Sequence, residues 1–292
     1  MMPLRFPPGK VDAMKRLPVP AFLCAILAVS AGFAAAQVAA DPNLVYLHVS
    51  AFETQYGRPV VGIHEQAFKI LENDKLQDIA YFSTKDVPLA VGILVDAQKD
   101  IKDRVTATAL AALSRKDRPQ DQLFVTETGN TPFNDAIYQN LNRVLQLQNS
   151  RRVLIVFTDR TGPNSSSFSK VRELVRKQDI QFYSIAFSEF GRSATDGSWE
   201  ILRELSESSG GYSYFPGMMA QVTDIYMKIA SEVRNQYVIG YRPANQAQDG
   251  KWRKIKVTAE MIDNKNKVQK FNVRTRSGYY APVFAGSSSA KN

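Results

Sequence analysis

Around residue 45 apolar and polar positions alternate, with Val45, Leu47 and Val49 on one side and Tyr46, His48 and Ser50 on the other. Period two predicts a half-buried strand over residues 44–54. A turn at residues 55–59 follows, then a hairpin over 67–72 and 75–83, broken at Asn73-Asp74. From residue 88 the pattern changes. PLAVGILV (88–95) and VLIVF (153–157) are unbroken apolar runs, the mark of strands buried on both faces. Shorter strands are predicted at 122–126, 182–187 and 212–215. Between them, apolar positions recur at helical spacing: Ile101, Val105 and Ala109; Ile137, Leu141 and Val144; Phe168, Val171 and Val175; Ile201, Leu202 and Leu205; Val222, Ile225 and Ile229. Ser165 or Ser166 is placed to cap the third helix, and Gly210-Gly211 to stop the fourth. After Gln236 strands return at 237–241, 252–260 and 268–275, the last two joined across Asp263-Asn264-Lys265-Asn266.

Strands alternating with helices predict an α/β fold, a mostly parallel sheet with helices on both faces, Rossmann-like in layout. Each flanking β segment is small for independent stability. The two are therefore expected to pair into one small β-sandwich, with the α/β part inserted between them. The expected divisions are a leader (1–40), an N-terminal β segment (41–86), the α/β domain (87–236), a C-terminal β segment (237–283) and a loose Ser/Ala-rich tail (284–292).

The leader is read from Lys15-Arg16, the apolar run 21–36 and the small residues Ala34-Ala35-Ala36. A basic start, a short apolar stretch and an A-x-A end predict a secretory signal peptide. The protein is thus expected to be exported, to the periplasm or beyond, with no transmembrane segment after cleavage. Cys24, the single cysteine, lies inside this run, so disulfides, thiolate metal sites and a cysteine nucleophile are excluded from the remainder. The formal net charge of +9 falls when Arg5, Lys10, Lys15 and Arg16 are removed.

In open α/β sheets, sites form beyond the carboxyl ends of the strands. Three loops lie there: Asp96-Ala97-Gln98-Lys99-Asp100, Gly129-Asn130-Thr131-Pro132 and Thr158-Asp159-Arg160. In this order they resemble the von Willebrand factor A (vWA) domain, whose D-x-S-x-S, Thr and Asp loops form a metal-ion-dependent adhesion site. Further segments, among them QYVIGY (236–241), GKWRKI (250–255) and GYYAP (278–282), resemble the exported bacterial vWA-related family over residues 44–282. The resemblance implies a vWA-like sheet and a Mg²⁺ or Ca²⁺ ion held by Asp96, Gln98, Asp100, Thr131 and Asp159. It also implies a protein ligand whose acidic side chain completes the shell, since hard dications take about six oxygen ligands. The chain departs from the pattern where Gln98 and Asp100 replace the two serines. One strand and one helix are missing before the Thr loop. Lys99 and Arg160 raise the alternative that a protein cation replaces the ion.

No catalytic constellation accompanies these loops. Both histidines, His48 and His64, lie in the first β segment, away from the loops. No P-loop or G-x-G-x-x-G follows a strand. The expected function is a non-enzymatic, extracytoplasmic protein-binding or adhesion module. The alternative is a metal-independent structural or assembly component of the envelope. It would bind an anionic polymer through the last hairpin, where Lys254, Lys256, Lys270 and Arg274 are expected on one face near Trp252. Export argues against a nucleic-acid partner.

Overall fold

The computed structural model describes residues 41–283 apart from 42, 56, 161–167, 189–198 and 263–265. The leader, the Ser165/Ser166 cap, most of the 263–266 turn and the tail lie outside the described residues. Along the chain come β1 (Val45–Glu53), a 3₁₀ turn (Glu65–Ala67), β2 (Phe68–Glu72), β3 (Lys75–Gln77) and β4 (Ile79–Ser83). Then follow β5 (Leu89–Asp96), α1 (Lys99–Leu113), β6 (Gln122–Glu127), α2 (Phe133–Leu145), β7 (Arg151–Thr158), α3 (Ser169–Lys177), β8 (Ile180–Ala186), α4 (Glu200–Ser209), β9 (Ser213–Tyr214) and α5 (Met219–Arg234). The chain closes with β10 (Tyr237–Tyr241), β11 (Trp252–Ile262), β12 (Val268–Arg274) and β13 (Gly278–Tyr280).

The architecture corrects the expected one. The two β segments do not form a small sandwich carrying a vWA-type domain. They interleave into a single eight-stranded antiparallel sheet, ordered β3-β2-β11-β12-β1-β10-β4 with β13 on β11. This sheet curls into a nearly closed barrel, separate from the parallel sheet, and the fold is not of vWA type. The reason lies in β1. Its first half pairs with β10 (Val45↔Tyr241 to Val49↔Tyr237) and its second half with β12 (Ser50↔Arg274 to Glu53↔Phe271). One strand shared by two neighbours in this way makes a corner rather than two independent faces. Alternation then sends Leu47, Val49, Ile70, Ile239, Ile255 and Val257 into one interior. The rings of Phe68, Phe82 and Tyr237 meet there at 5.0–5.8 Å. Buried Glu72 accepts hydrogen bonds from the hydroxyls of Tyr241 (2.7 Å) and Tyr279 (3.0 Å).

The second sheet is parallel throughout, ordered β6-β5-β7-β8-β9. Every residue of β5 is buried, as the continuous apolar run requires. α1 and α5 cover one face; α2, α3 and α4 cover the other. Gly92 lets α2 approach β5 closely: a Cβ there would lie 2.7 Å from both Phe124 Cζ and Val144 Cγ2. Among the described residues no helix is long and apolar enough to cross a membrane.

A polar seam joins barrel and parallel sheet. Gln236 Nε2 donates to Ser50 Oγ and to Gln181 Oε1, both at 3.0 Å. Arg274 Nη2 reaches Glu232 Oε2 at 2.9 Å, and its guanidinium stacks on Phe52 and Tyr212. Glu232 is only 2% exposed, and burial raises its pKa against the pull of Arg274. His48 sits 3.6 Å from Asp179. Burial outweighs that carboxylate and lowers the imidazole's pKa to about 4.

Two predictions follow from the seam. Arg274→Met should destabilise the fold by about 3–5 kcal/mol near neutral pH, because it strands a buried carboxylate. In urea titrations the loss should shrink as pH falls and Glu232 takes up a proton. His48 works in the opposite direction. Its folded pKa lies below the ordinary value of 6.5, so the unfolded chain binds that proton first. The stability present above pH 6.5 should be lost as pH falls toward 4. His48→Gln should flatten that part of the stability–pH curve, and an unchanged slope would show that the imidazole does not control it.

Candidate functional site

β5 and β7 lie side by side in parallel, Asp96 opposite Thr158, so their carboxyl ends open at the same rim. The Asp159 N–H donates to the Asp96 carbonyl (3.2 Å). In return Asp159 Oδ2 accepts the Gln98 N–H (3.0 Å) at the start of α1. The two strand-end loops are thereby stitched together. Asp96 is 3% exposed, and its Oδ2 accepts the Thr158 hydroxyl at 3.0 Å. Arg160 Nε stands 3.1 Å from Asp96 Oδ1 while its side chain remains 58% exposed. No hydrogen bond reaches Asp96 Oδ1, so the contact with Arg160 is an ion pair without an aligned N–H. Asp159 Oδ1 is also buried without a hydrogen bond.

Of the expected ion ligands, the structure brings Asp96 and Asp159 together but not the full set. Gln98 takes part through its backbone N–H; its side chain and those of Lys99 and Asp100 are exposed on the first turn of α1. Thr131 lies in the loop after β6, held by its N–H to the Thr128 carbonyl (3.1 Å). It lines a shallow depression with Asp135 and Tyr138. Among the described residues it has no hydrogen bond to the Asp96 cluster. Thr128 is the residue of that loop that reaches β5, through its N–H to the Val95 carbonyl (3.2 Å). The sequence places Thr158 in the third loop without giving it a role; the structure makes its hydroxyl the donor to Asp96.

These residues are engaged within the chain: Asp96 Oδ2 accepts the Thr158 hydroxyl, Asp96 Oδ1 faces Arg160, and Asp159 Oδ2 accepts the Gln98 N–H. The guanidinium beside Asp96 opposes a second cation there, and a hard dication takes roughly six oxygens. Among the described residues no group of three or more Asp, Glu, His or Cys side chains is suited to a metal ion. The arrangement is that of an exposed arginine held at the rim beside one buried carboxylate, Asp96. Among the described residues no nucleophile is paired with a base here.

The basic hairpin face is smaller than expected. Lys254, Lys256 and Lys270 are exposed, but Lys270 stands opposite Glu260, which pairs with Lys69 at 2.9 Å. Arg274 is not on an outer surface: β12 pairs with β1 at Ser50, and there this sheet face turns toward α5 and Glu232. Trp252 is half-buried against Tyr280 (5.0 Å). A cleft of about 770 Å³ lies at the other end of the parallel strands, bordered by Asp86, Arg115, Arg234 and Tyr237. There Arg234 Nη2 is engaged with the Leu113 carbonyl and Asp121, so it serves the C-terminal end of α1.

No family model matches the chain, and no curated protein matches it. Among solved structures, the flavodiiron protein from Giardia intestinalis aligns with a TM-score of 0.31 and 10% identity, over 50% of this chain and 35% of that one. The chain thus spans about a third of that protein's length.

The committed oxygens give a direct prediction. Calorimetric titration with Mg²⁺, Ca²⁺ or Mn²⁺ should show no binding to the wild-type protein. Saturable heat that disappears in Asp96→Ala would mean that Arg160 leaves its place for the ion.

Proposed function

We propose that the chain is an exported, non-catalytic protein-binding module that uses the rim at the ends of β5 and β7. Arg160 takes the position of an ion there and receives an acidic side chain of the partner. The observation that carries this reading is the pairing of exposed Arg160 with buried Asp96. A guanidinium already anchored through Nε loses less freedom on binding than a free arginine. A guanidinium can offer its two Nη groups as a planar donor pair to a carboxylate, a geometry that lysine lacks. The apolar run 21–36 behind Lys15-Arg16 supports export.

The partner can be trapped with a photo-crosslinker at Gln98 in the producing cell, and its affinity then measured with purified components. Arg160→Lys keeps a positive charge beside Asp96 but lacks the planar donor pair. It should weaken binding by about 2 kcal/mol or more with little change in melting temperature. Arg160→Ala should weaken binding and also lower the melting temperature by uncovering Asp96. Equal affinity would remove the rim from the interface. Loss of binding on reversing Lys254 and Lys256 instead would assign recognition to the outer barrel face.

A further inference from the structure

We propose that two copies of this chain associate through β6, joining their parallel sheets edge to edge across a two-fold axis. Edge strands present unpaired N–H and C=O groups, and folds blunt them by shortness, bulges, proline or lysine. Of the five strands with a free outer side, all but β6 are blunted, β13 by its three residues. β9 has two residues and β3 three, and the pairing of β4 is interrupted by a register shift at Gly240/Tyr241. β6 is six residues long, QLFVTE, in unbroken register with β5. It contains no proline, lysine or bulge, and among the described residues its outer side has no strand partner.

The exposed groups can be assigned. In a parallel ladder alternate residues face the neighbouring strand. Thr128 N–H donates to the Val95 carbonyl, so Gln122, Phe124 and Thr126 also face β5. The N–H and C=O groups of Leu123, Val125 and Glu127 therefore point outward. Antiparallel self-pairing must match outward residues with outward residues. The register that uses all three puts Val125 opposite its own copy on the axis and Leu123 opposite Glu127. Phe124 then stands opposite Thr126.

Charge permits this pairing. Glu127 is the strand's one charged residue, and Lys102 already neutralises it within the same chain (2.8 Å). Like charges therefore do not oppose each other in the joined strands. The side chains of Leu123, Phe124 and Val125 are only partly covered, so a second copy would bury apolar surface as well as satisfy the ladder.

Sedimentation equilibrium of the purified protein tests this. The wild type should be a dimer. Val125→Pro should make it a monomer while preserving far-UV circular dichroism, because the N–H that it removes points away from β5. Val125→Lys places two ammonium groups across the axis and should do the same, and it serves if the proline variant fails to fold. A wild-type monomer across the accessible concentration range overturns the proposal, as it would if the edge receives a strand from a different protein. A dimer that persists in a folded Val125→Pro or Val125→Lys variant also overturns it.

Discussion

The fold hangs on β1 being shared. The strand gives its first half to β10 and its second half to β12, so both terminal segments must be present before the barrel interior exists. The α/β part lies in the chain between β4 and β10, which are hydrogen-bonded neighbours. The barrel thus grips both ends of the insertion. The polar seam of Gln236, Ser50, Gln181, Arg274 and Glu232 then fixes how the two sheets meet. Buried polar groups of this kind are costly to leave half-satisfied, so the seam tolerates few other relative placements.

β5 and β7 are buried along nearly their whole length and bring Asp96 and Asp159 to one rim. What varies there is side-chain chemistry. A buried carboxylate needs a compensating charge. Arg160 supplies one from within the chain and remains largely exposed.

The parallel sheet was the more legible half of the fold. PLAVGILV and VLIVF could only be strands buried on both faces, and the 3.6-residue spacing between them marks the helices. The barrel was not legible, because alternation shows which residues share a face but not which strand lies alongside. Ser50 and Arg274 are neighbours across more than two hundred residues, and nothing local announces it. The same gap explains Arg274, read as part of a solvent-facing basic row and found against Glu232. At the rim, residue types indicated where charge would gather. They did not show that Asp96 and Asp159 would each give one oxygen to Thr158 or Gln98, with Arg160 beside Asp96, nor that Thr131 would stay apart from them.

The order in which barrel strands occur along the chain has a consequence for biogenesis. Four of the eight, β10 to β13, come from the final part of the polypeptide, and β1 cannot be sealed on either side without them. Contacts of such long sequence separation form late and slowly. A chain emerging amino-terminus first would hold β1 to β4 unsealed, with strand edges open to capture by holdase chaperones, until its last segment arrives. Closure of the barrel therefore acts as a completeness check: a truncated copy stays recognisably unfinished to quality control, even if its parallel sheet has already formed.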